Sequence, residues 1–201
     1  MLDGKYKKEM DALWDTMGIV LVKLHLTANA VTWIGLFLVV GSCLVFWFTQ
    51  SAWLFCIFLG ISFTADALDG AVARLTGTSS KYGAYLDAVI DRYQEVLVYF
   101  TIAVVRGYWG VCFLALSGSL LISYNKARAG MEVPVSNTAW PDLLERTERI
   151  LLIIAGLLLE ALFPGRKLLV YTLILITVLA HVTAIQRFRR AERIIQEYER
   201  D

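Results

Sequence analysis

Cysteine and histidine are scarce in this chain of 201 residues, which has three cysteines and two histidines. Cys43, Cys56 and Cys112 stand singly inside apolar runs and lack the paired spacing of a metal site. We therefore expect them to pack as small apolar residues rather than to form disulfides.

A surplus of charge of one sign is also missing. Lys and Arg number 19 against 18 Asp and Glu, giving a formal net charge of +1, so nothing indicates a nucleic-acid partner. The opening segment, MLDGKYKKEMDALW, lacks the apolar core of a cleavable signal peptide. Hydrophobic residues, by contrast, make up 58% of the chain, and the mean hydropathy is +0.60. The composition is too apolar for an ordinary soluble domain and too charged for a simple membrane anchor.

Long apolar runs dominate the chain, and a helix needs about 20 such residues to cross a bilayer. The runs are continuous rather than alternating, which favours helices over barrel strands. The sequence predicts an all-α integral membrane protein in which the first 18 residues form an amphipathic interfacial helix. A tail packed on its own protein is the alternative for those residues. Six spans are predicted, at about 30–49, 52–74, 83–105, 109–129, 143–163 and 167–187.

The distribution of basic residues predicts the orientation of these spans. If the N-terminus is cytoplasmic, all of the basic residues except Arg106, Arg166 and Lys167 lie on the cytoplasmic side. Both termini are then cytoplasmic, and the cell inner membrane is the expected location. The expected parts are an amphipathic N-terminal segment at 1–28, a catalytic six-helix domain at 29–190 and a cytoplasmic tail at 191–201.

Four aspartates interrupt this apolar pattern in the stretch DALDGAVARLTGTSSKYGAYLDAVID, residues 66–91. Asp66 and Asp69 are spaced for one face of a helix, and Asp87 and Asp91 for one face of the next. Each costs about 2.5–3.5 kcal/mol at the centre of a spanning helix. Divalent cations would offset this cost, and oxygen ligands without nearby Cys or His favour Mg²⁺ or Mn²⁺ over zinc. The alternative is that the aspartates are solvated at helix ends, or that Asp69 or Asp91 pairs with Arg74 or Arg92.

The spacing resembles the signature of the CDP-alcohol phosphotransferase family, whose members join a CDP-activated alcohol to a second alcohol and release CMP. The resemblance extends over about 25–190, including NAVT at 29–32, where Ala28 replaces the proline that usually precedes the Asn. A proline at that position would tighten the turn without supplying a ligand. The matching pattern is Asp66-x2-Asp69-Gly70-x2-Ala73-Arg74-x8-Gly83-x3-Asp87-x3-Asp91.

The resemblance implies a role for each matching residue. Asp66, Asp69 and Asp87 would bind two Mg²⁺ or Mn²⁺ ions, with Asp91 close to the second ion and also acting as general base. The donor would be CDP-diacylglycerol or a CDP-archaeol-like lipid, and the enzyme would be a homodimer among membrane lipids. The CDP-lipid contacts implied by the family are Asp66, Asp69 and Asn29, Ala30, Val31, Thr32, Gly70, Ala73, Arg74, Ser80 and Gly83.

We expect the acceptor to be a small polar alcohol, and the basic residues near 126–149 favour one that carries its own phosphate. SYNKARA at 123–129 and ERTER at 145–149 resemble the phosphatidylinositol-phosphate synthase branch, so inositol phosphate is favoured over glycerol 3-phosphate or serine. The alternative is that the basic residues of these two segments anchor the protein at the cytoplasmic face and pair with Glu145 and Glu148. The candidate acceptor-binding residues are Lys126, Arg128, Arg146 and Arg149.

Two other classes also use intramembrane aspartates. A Mg²⁺-dependent prenyltransferase would place its aspartates in Asp-Asp-x-x-Asp-like clusters, without the glycines seen here. A non-enzymatic cation carrier would need acidic residues through the whole membrane, and the outer halves of these spans are nearly free of charge.

Overall fold

The computed structural model describes residues 7–134, 140 and 143–200, with side chains from Trp14 onward. Within these residues the regular structure is helical, without strands, as predicted. The first four helices are α1 (Lys7–Lys23), α2 (Ala28–Thr49), α3 (Ala52–Asp66) and α4 (Leu68–Thr76). They are followed by α5 (Lys81–Arg106), α6 (Trp109–Glu132), α7 (Arg146–Leu162) and α8 (Leu168–Tyr198).

Three helical segments within the described residues are long and apolar enough to cross a membrane. They are Ala28–Thr49, Ala52–Thr76 and Leu168–Tyr198, and they correspond to the first, second and sixth predicted spans. Such segments indicate an integral membrane protein. Helix α8 continues past the predicted end of its span, as far as Tyr198.

The described residues divide into two packed units, which lie within Leu2–Val105 and Arg106–Asp201. In the first unit, α2 and α3 pack against each other, with the rings of Phe46 and Phe55 stacked at 4.4 Å. The buried hydroxyls of Ser42 and Ser62 also hydrogen-bond across this pair at 3.0 Å. Ser51 begins α3 by accepting from the backbone N–H of Leu54, because a cap hydroxyl satisfies a donor that the helix leaves free.

The second predicted span has a one-residue irregularity that the sequence did not reveal. The helix was expected to continue to about Arg74, but α3 ends at Asp66 and α4 begins at Leu68. Ala67 keeps right-handed angles (φ −62°, ψ −13°), and its N–H still donates to the carbonyl of Phe63. The backbone of this span is therefore nearly continuous.

Helix α1 packs on α4. Gly18 faces α4 so closely that a Cβ on it would lie 3.1 Å from both Ala71 Cβ and Leu75 Cδ1. Part of the expected interfacial helix is therefore docked on its own protein, while Met17, Ile19 and Val20 stay exposed. The residues before Lys7 in that prediction lie outside the described part.

A tight turn connects α4 to α5. Gly77 ends α4 in the left-handed region (φ 64°), which glycine adopts without steric cost. Ser80 then caps α5 by accepting from the backbone N–H of Gly83 at 3.0 Å. The hydroxyl residues of this turn, Thr78, Ser79 and Ser80, line the same cavity as Asp69 of α4 and Asp87 of α5.

In the second unit, α8 packs against both α6 and α7. A Cβ on Gly118 would lie 2.9 Å from Ala180 Cβ, and one on Gly156 would lie 2.9 Å from Thr172 Cβ. His181 hydrogen-bonds through Nε2 to the carbonyl of Leu114 at 3.1 Å. Within the whole described part, the three cysteines are buried and free, as the sequence predicted.

Candidate active site

Three of the four aspartates converge in the first unit. Carboxylate oxygens of Asp66, Asp87 and Asp91 lie within 4.8 Å of one another. Asp66 comes from the end of α3, and the other two come from successive turns of α5. Asp66 and Asp91 are buried, whereas Asp87 is half-buried. We call these residues the acidic trio; such a group of hard oxygen ligands suits Mg²⁺ or Mn²⁺.

Asp66 has two close neighbours from other helices. Its Oδ1 accepts a hydrogen bond from Gln94 Nε2 on α5 at 2.8 Å. On the α2 side, a Cβ on Gly35 would lie only 3.1 Å from the same oxygen. The side chain is therefore enclosed by α2 and α5.

Asp69 lies outside the acidic trio. Thr32 Oγ1 donates to Asp69 Oδ2 at 2.6 Å, which connects α4 to the start of α2. The charges of Asp66 and Asp87 still act on Asp69. Asp69 thus lies between the trio and the beginning of α2.

Asp91 makes one of the ion pairs considered as an alternative from the sequence. Arg92 Nη2 lies 3.4 Å from Asp91 Oδ2, and Arg92 Nη1 lies 3.3 Å from Glu95 Oε2. The pair does not take Asp91 out of the trio. The other pair considered, Asp69 with Arg74, is replaced by Arg74 with Asp15, where Nη2 and Oδ1 are 2.8 Å apart.

A cavity of about 310 Å³ opens beside these carboxylates. Asp69 and Asp87 face it, together with the hydroxyl-rich turn before α5. Eight of the sequence-predicted nucleotide contacts line this cavity. The lining residues are Ala28, Asn29, Thr32, Asp69, Gly70, Ala73, Arg74, Thr78, Ser79, Ser80, Gly83, Ala84 and Asp87.

Three predicted nucleotide contacts, Ala30, Val31 and Asp66, are not in this lining. Val31 is 2% exposed and packs with Leu68 and Val72 in an apolar cluster. Ala84 is a lining residue that the sequence analysis did not name. Helical spacing was an available signal, because Ala84 is one turn past Ser80 and one turn before Asp87.

The predicted acceptor cations lie in the second unit and differ in their surroundings. Arg149 is 1% exposed, and its Nη1 donates to the carbonyl of Leu144 at 3.3 Å. Arg128 is exposed and pairs with Glu132 rather than with the glutamates considered from the sequence. Lys126 and Arg146 are half-buried.

Arg187 is a buried cation that the sequence analysis counted only among the basic residues of the expected cytoplasmic side. Its Nη1 donates to the carbonyl of Ile122 at 2.6 Å, and its guanidinium lies 5.8 Å from the ring centroid of Trp140. A signal was available in the sequence. The buried residues of α8 recur at three- and four-residue steps, and Arg187 continues the face that contains Ala180 and Ala184.

Fold and site together define a class of protein: a membrane-embedded helical enzyme with carboxylates grouped beside a polar cavity. The chain matches the family model for CDP-alcohol phosphatidyltransferase over residues 25–185 and belongs to that family. It is therefore a transferase that acts on substituted phosphate groups. This assignment sets aside the prenyltransferase and cation-carrier alternatives.

Relatives indicate a branch within the family. The chain is 37% identical over 196 residues to an archaetidylinositol phosphate synthase of Pyrococcus horikoshii, covering 96% of this chain and 98% of that protein. A phosphatidylinositol phosphate synthase of Mycobacteroides abscessus is 32% identical over 150 residues, covering 71% of this chain and 64% of that protein.

Solved structures agree with this placement. The crystal structure of Mycobacterium tuberculosis phosphatidylinositol phosphate synthase with CDP-DAG bound is similar with a TM-score of 0.77 at 26% identity, covering 90% of this chain and 94% of that chain. The same enzyme in complex with manganese and citrate gives a TM-score of 0.76 at 25% identity, covering 89% and 88%.

Proposed function

We propose that this enzyme transfers a phosphatidyl-type group from a CDP-activated lipid to a hydroxyl of inositol phosphate and releases CMP. The observation on which this rests is the acidic trio beside a polar cavity in a member of this family. Relatives named for archaetidylinositol and phosphatidylinositol phosphate synthesis support the acceptor. The donor is CDP-diacylglycerol or its archaeol ether counterpart.

The carboxylates fit a divalent metal site. The trio supplies oxygen atoms only, and Asp69 adds a fourth carboxylate nearby. We assign Asp66, Asp69 and Asp87 as ligands of two Mg²⁺ or Mn²⁺ ions, with Asp91 next to the second. When bound, such ions neutralise negative charge on a diphosphate and on the leaving CMP. The manganese complex of the similar Mycobacterium tuberculosis enzyme supports a divalent cation as the cofactor.

The cavity suits the cytidine diphosphate of the donor. Hydroxyls of Thr78, Ser79 and Ser80 and the guanidinium of Arg74 line one part of it and can donate to phosphate oxygens. Gly70 and Gly83 leave the backbone accessible at the cavity wall. Asn29 and Thr32 line the α2 side, where we place the nucleoside.

Asp91 is proposed as the general base. It accepts the proton from the acceptor hydroxyl, whose oxygen forms a bond to the phosphorus that bears the lipid alcohol. The bond between that phosphorus and the bridging oxygen breaks, and CMP leaves with the bridging oxygen. No redox partner is needed, and the charge that develops is confined to oxygen atoms.

We assign the phosphate of the acceptor to Lys126, Arg128, Arg146 and Arg149. Four basic side chains in this region favour a phosphorylated acceptor over serine or another alcohol without a phosphate. The buried Arg187 donates to a carbonyl one turn before Lys126 on α6 and supports the same basic region.

We also propose six spans with both termini and the site at the cytoplasmic face of the inner membrane. Segments 1–28, 29–190 and 191–201 are then the interfacial, catalytic and tail parts. The positive-inside distribution of basic residues supports this orientation. It also lets polar CDP and inositol phosphate arrive from water while the lipid chains stay in the bilayer. We propose a homodimer by analogy with the family.

The activity is tested by CMP release from purified enzyme with CDP-diacylglycerol, Mg²⁺ and inositol phosphate, glycerol 3-phosphate or serine. We expect the highest kcat/KM with inositol phosphate. Asp91→Asn should lower kcat by about 10²–10⁴-fold, the usual contribution of a general base, while CDP-lipid binding stays measurable. Glu192→Gln, an exposed acid on α8, is the control. Near-normal turnover by Asp91→Asn would refute the role of this residue, and absence of CMP with every acceptor would refute the function.

A further inference from the structure

Gln94 is a buried amide that the family signature does not include. It lies three residues after Asp91 on α5, and its side chain is 0% exposed. Its Nε2 group donates to Asp66 Oδ1 at 2.8 Å, although the two residues are 28 positions apart in the sequence. A neutral donor in this position supports a carboxylate without cancelling its charge, so Asp66 keeps its full attraction for a cation.

Gly35, on α2, comes close to the same carboxylate. A Cβ at this position would lie 3.1 Å from Asp66 Oδ1 and 3.3 Å from Asp66 Cβ. These atoms belong to a buried side chain, 4% exposed, that has little room to move away. Gly35 on α2 and Gln94 on α5 therefore confine Asp66 from two helices.

This confinement has a consequence for the acidic trio. Three carboxylates with oxygens within 4.8 Å of one another repel, and an unsupported Asp66 would rotate away from the other two. Groups that hydrogen-bond to a metal ligand orient it, and removing one typically weakens metal binding by about 10–100-fold.

We propose that Gln94 is a positioning residue for the metal site: its amide fixes the Asp66 carboxylate, in the space that Gly35 leaves, in the orientation that completes the trio. This proposal rests on the proposed function, because it requires that the trio binds a divalent cation. Gln94 acts through Asp66 and touches neither substrate nor the reacting atoms.

The test compares Mn²⁺ binding to wild type and Gln94→Met in detergent, measured by the electron paramagnetic resonance of free Mn²⁺. Methionine keeps the length of the side chain and removes the donor. We expect about 10–100-fold weaker Mn²⁺ binding and a similar rise in the Mg²⁺ concentration for half-maximal CMP release. Excess Mg²⁺ should recover much of kcat, because the reacting groups are unchanged.

Ser62→Ala is the matched control. Ser62 is buried one turn before Asp66 on α3, and its hydroxyl bonds to Ser42 rather than to the trio. Its loss should lower thermal stability in EDTA without changing Mn²⁺ affinity. A purely structural Gln94 would give the same result as Ser62→Ala, which would overturn the proposal.

A second variant, Gly35→Ala, perturbs Asp66 from α2 and decides the question if Gln94→Met does not fold. Weaker Mn²⁺ binding by Gly35→Ala supports confinement of Asp66, and wild-type affinity overturns it. The same measurements distinguish a failure of the proposed function from a failure of the role of Gln94. Wild type that binds no Mn²⁺ and releases no CMP refutes the proposed function, whereas wild type that does both while Gln94→Met keeps its affinity refutes only the role of Gln94.

Discussion

Single contacts at the cavity wall determine how much room the proposed nucleotide would have. Gly83 begins the second half of the acidic motif, and a Cβ there would lie 3.2 Å from Ser80 Oγ and 3.3 Å from Asn29 Oδ1. Both of these atoms belong to residues that line the cavity. The sequence showed that this position is glycine, but only the structure shows which side chains come close to it.

Gly83→Ala should therefore raise the KM for the CDP-lipid by about fivefold, corresponding to roughly 1 kcal/mol of binding, with a smaller effect on kcat. The added methyl group displaces Ser80 or Asn29 by a few tenths of an ångström. Steady-state CMP release at varied CDP-lipid concentration measures the change.

The control for this variant is Gly60→Ala, in the same unit, where a Cβ meets nothing within 4 Å. It makes the same chemical change in a helix without crowding a neighbour. An equal KM for wild type and Gly83→Ala would contradict the placement of the nucleotide beside Gly83.

At the scale of elements, the docking of α1 on α4 joins the N-terminal helix to a wall of the site. Trp14, Leu21 and Val22 pack on the apolar cluster that contains Leu68 and Val72. Asp15 pairs with Arg74 at the cavity. A helix that the sequence describes as interfacial thus also holds a residue proposed to bind phosphate.

Gly18→Leu should separate α1 from α4, because the glycine already leaves only 3.1 Å between its Cβ position and Ala71 Cβ. Overpacking of this kind costs about 1–3 kcal/mol. We expect a lower thermal midpoint in detergent and a higher KM for the CDP-lipid, since Arg74 loses the partner that orients it.

Val20→Leu provides the comparison, because Val20 is 58% exposed on the same helix and has room for a larger side chain. Its thermal midpoint and KM should match those of wild type. A Gly18→Leu protein with both values unchanged would show that α1 does not support the site.

At the scale of the whole molecule, the number of membrane spans differs between the sequence prediction and the structure. Three helical segments in the described part meet the length and hydropathy criteria for a span, whereas the sequence predicts six. Helix α5 covers the third predicted span but is not among these three segments, because its polar face includes Asp87, Asp91 and Glu95. A helix that turns charge towards a site can still lie in a membrane when those groups face the protein interior.

Cysteine labelling separates the two topologies. With buried Cys43, Cys56 and Cys112 replaced by alanine, single cysteines at Gln50, Pro164 and Gln196 are probed in intact cells. Six spans with a cytoplasmic N-terminus place positions 50 and 164 outside and 196 inside. Three spans would place 164 inside and 196 outside, so labelling of 196 without permeabilisation would contradict six spans.

The sequence by itself determined the helical class, most helix boundaries and the set of acidic residues. These features depend on local rules: apolar length predicts spans, and four-residue spacing puts Asp87 and Asp91 on one face. Local rules also describe the turn at Gly77 and Ser80, where the chemistry of single residues sets the backbone.

Only the tertiary structure decided which side chains meet across helices. Asp66 is enclosed by Gly35 and Gln94, Arg74 pairs with Asp15 rather than Asp69, and Val31 packs into a core instead of lining the cavity. The residues of these pairs are far apart in sequence, such as Arg74 and Asp15, which are 59 positions apart. Their contacts follow from how helices pack, because close packing places each side chain against particular neighbours that spacing along one helix does not specify.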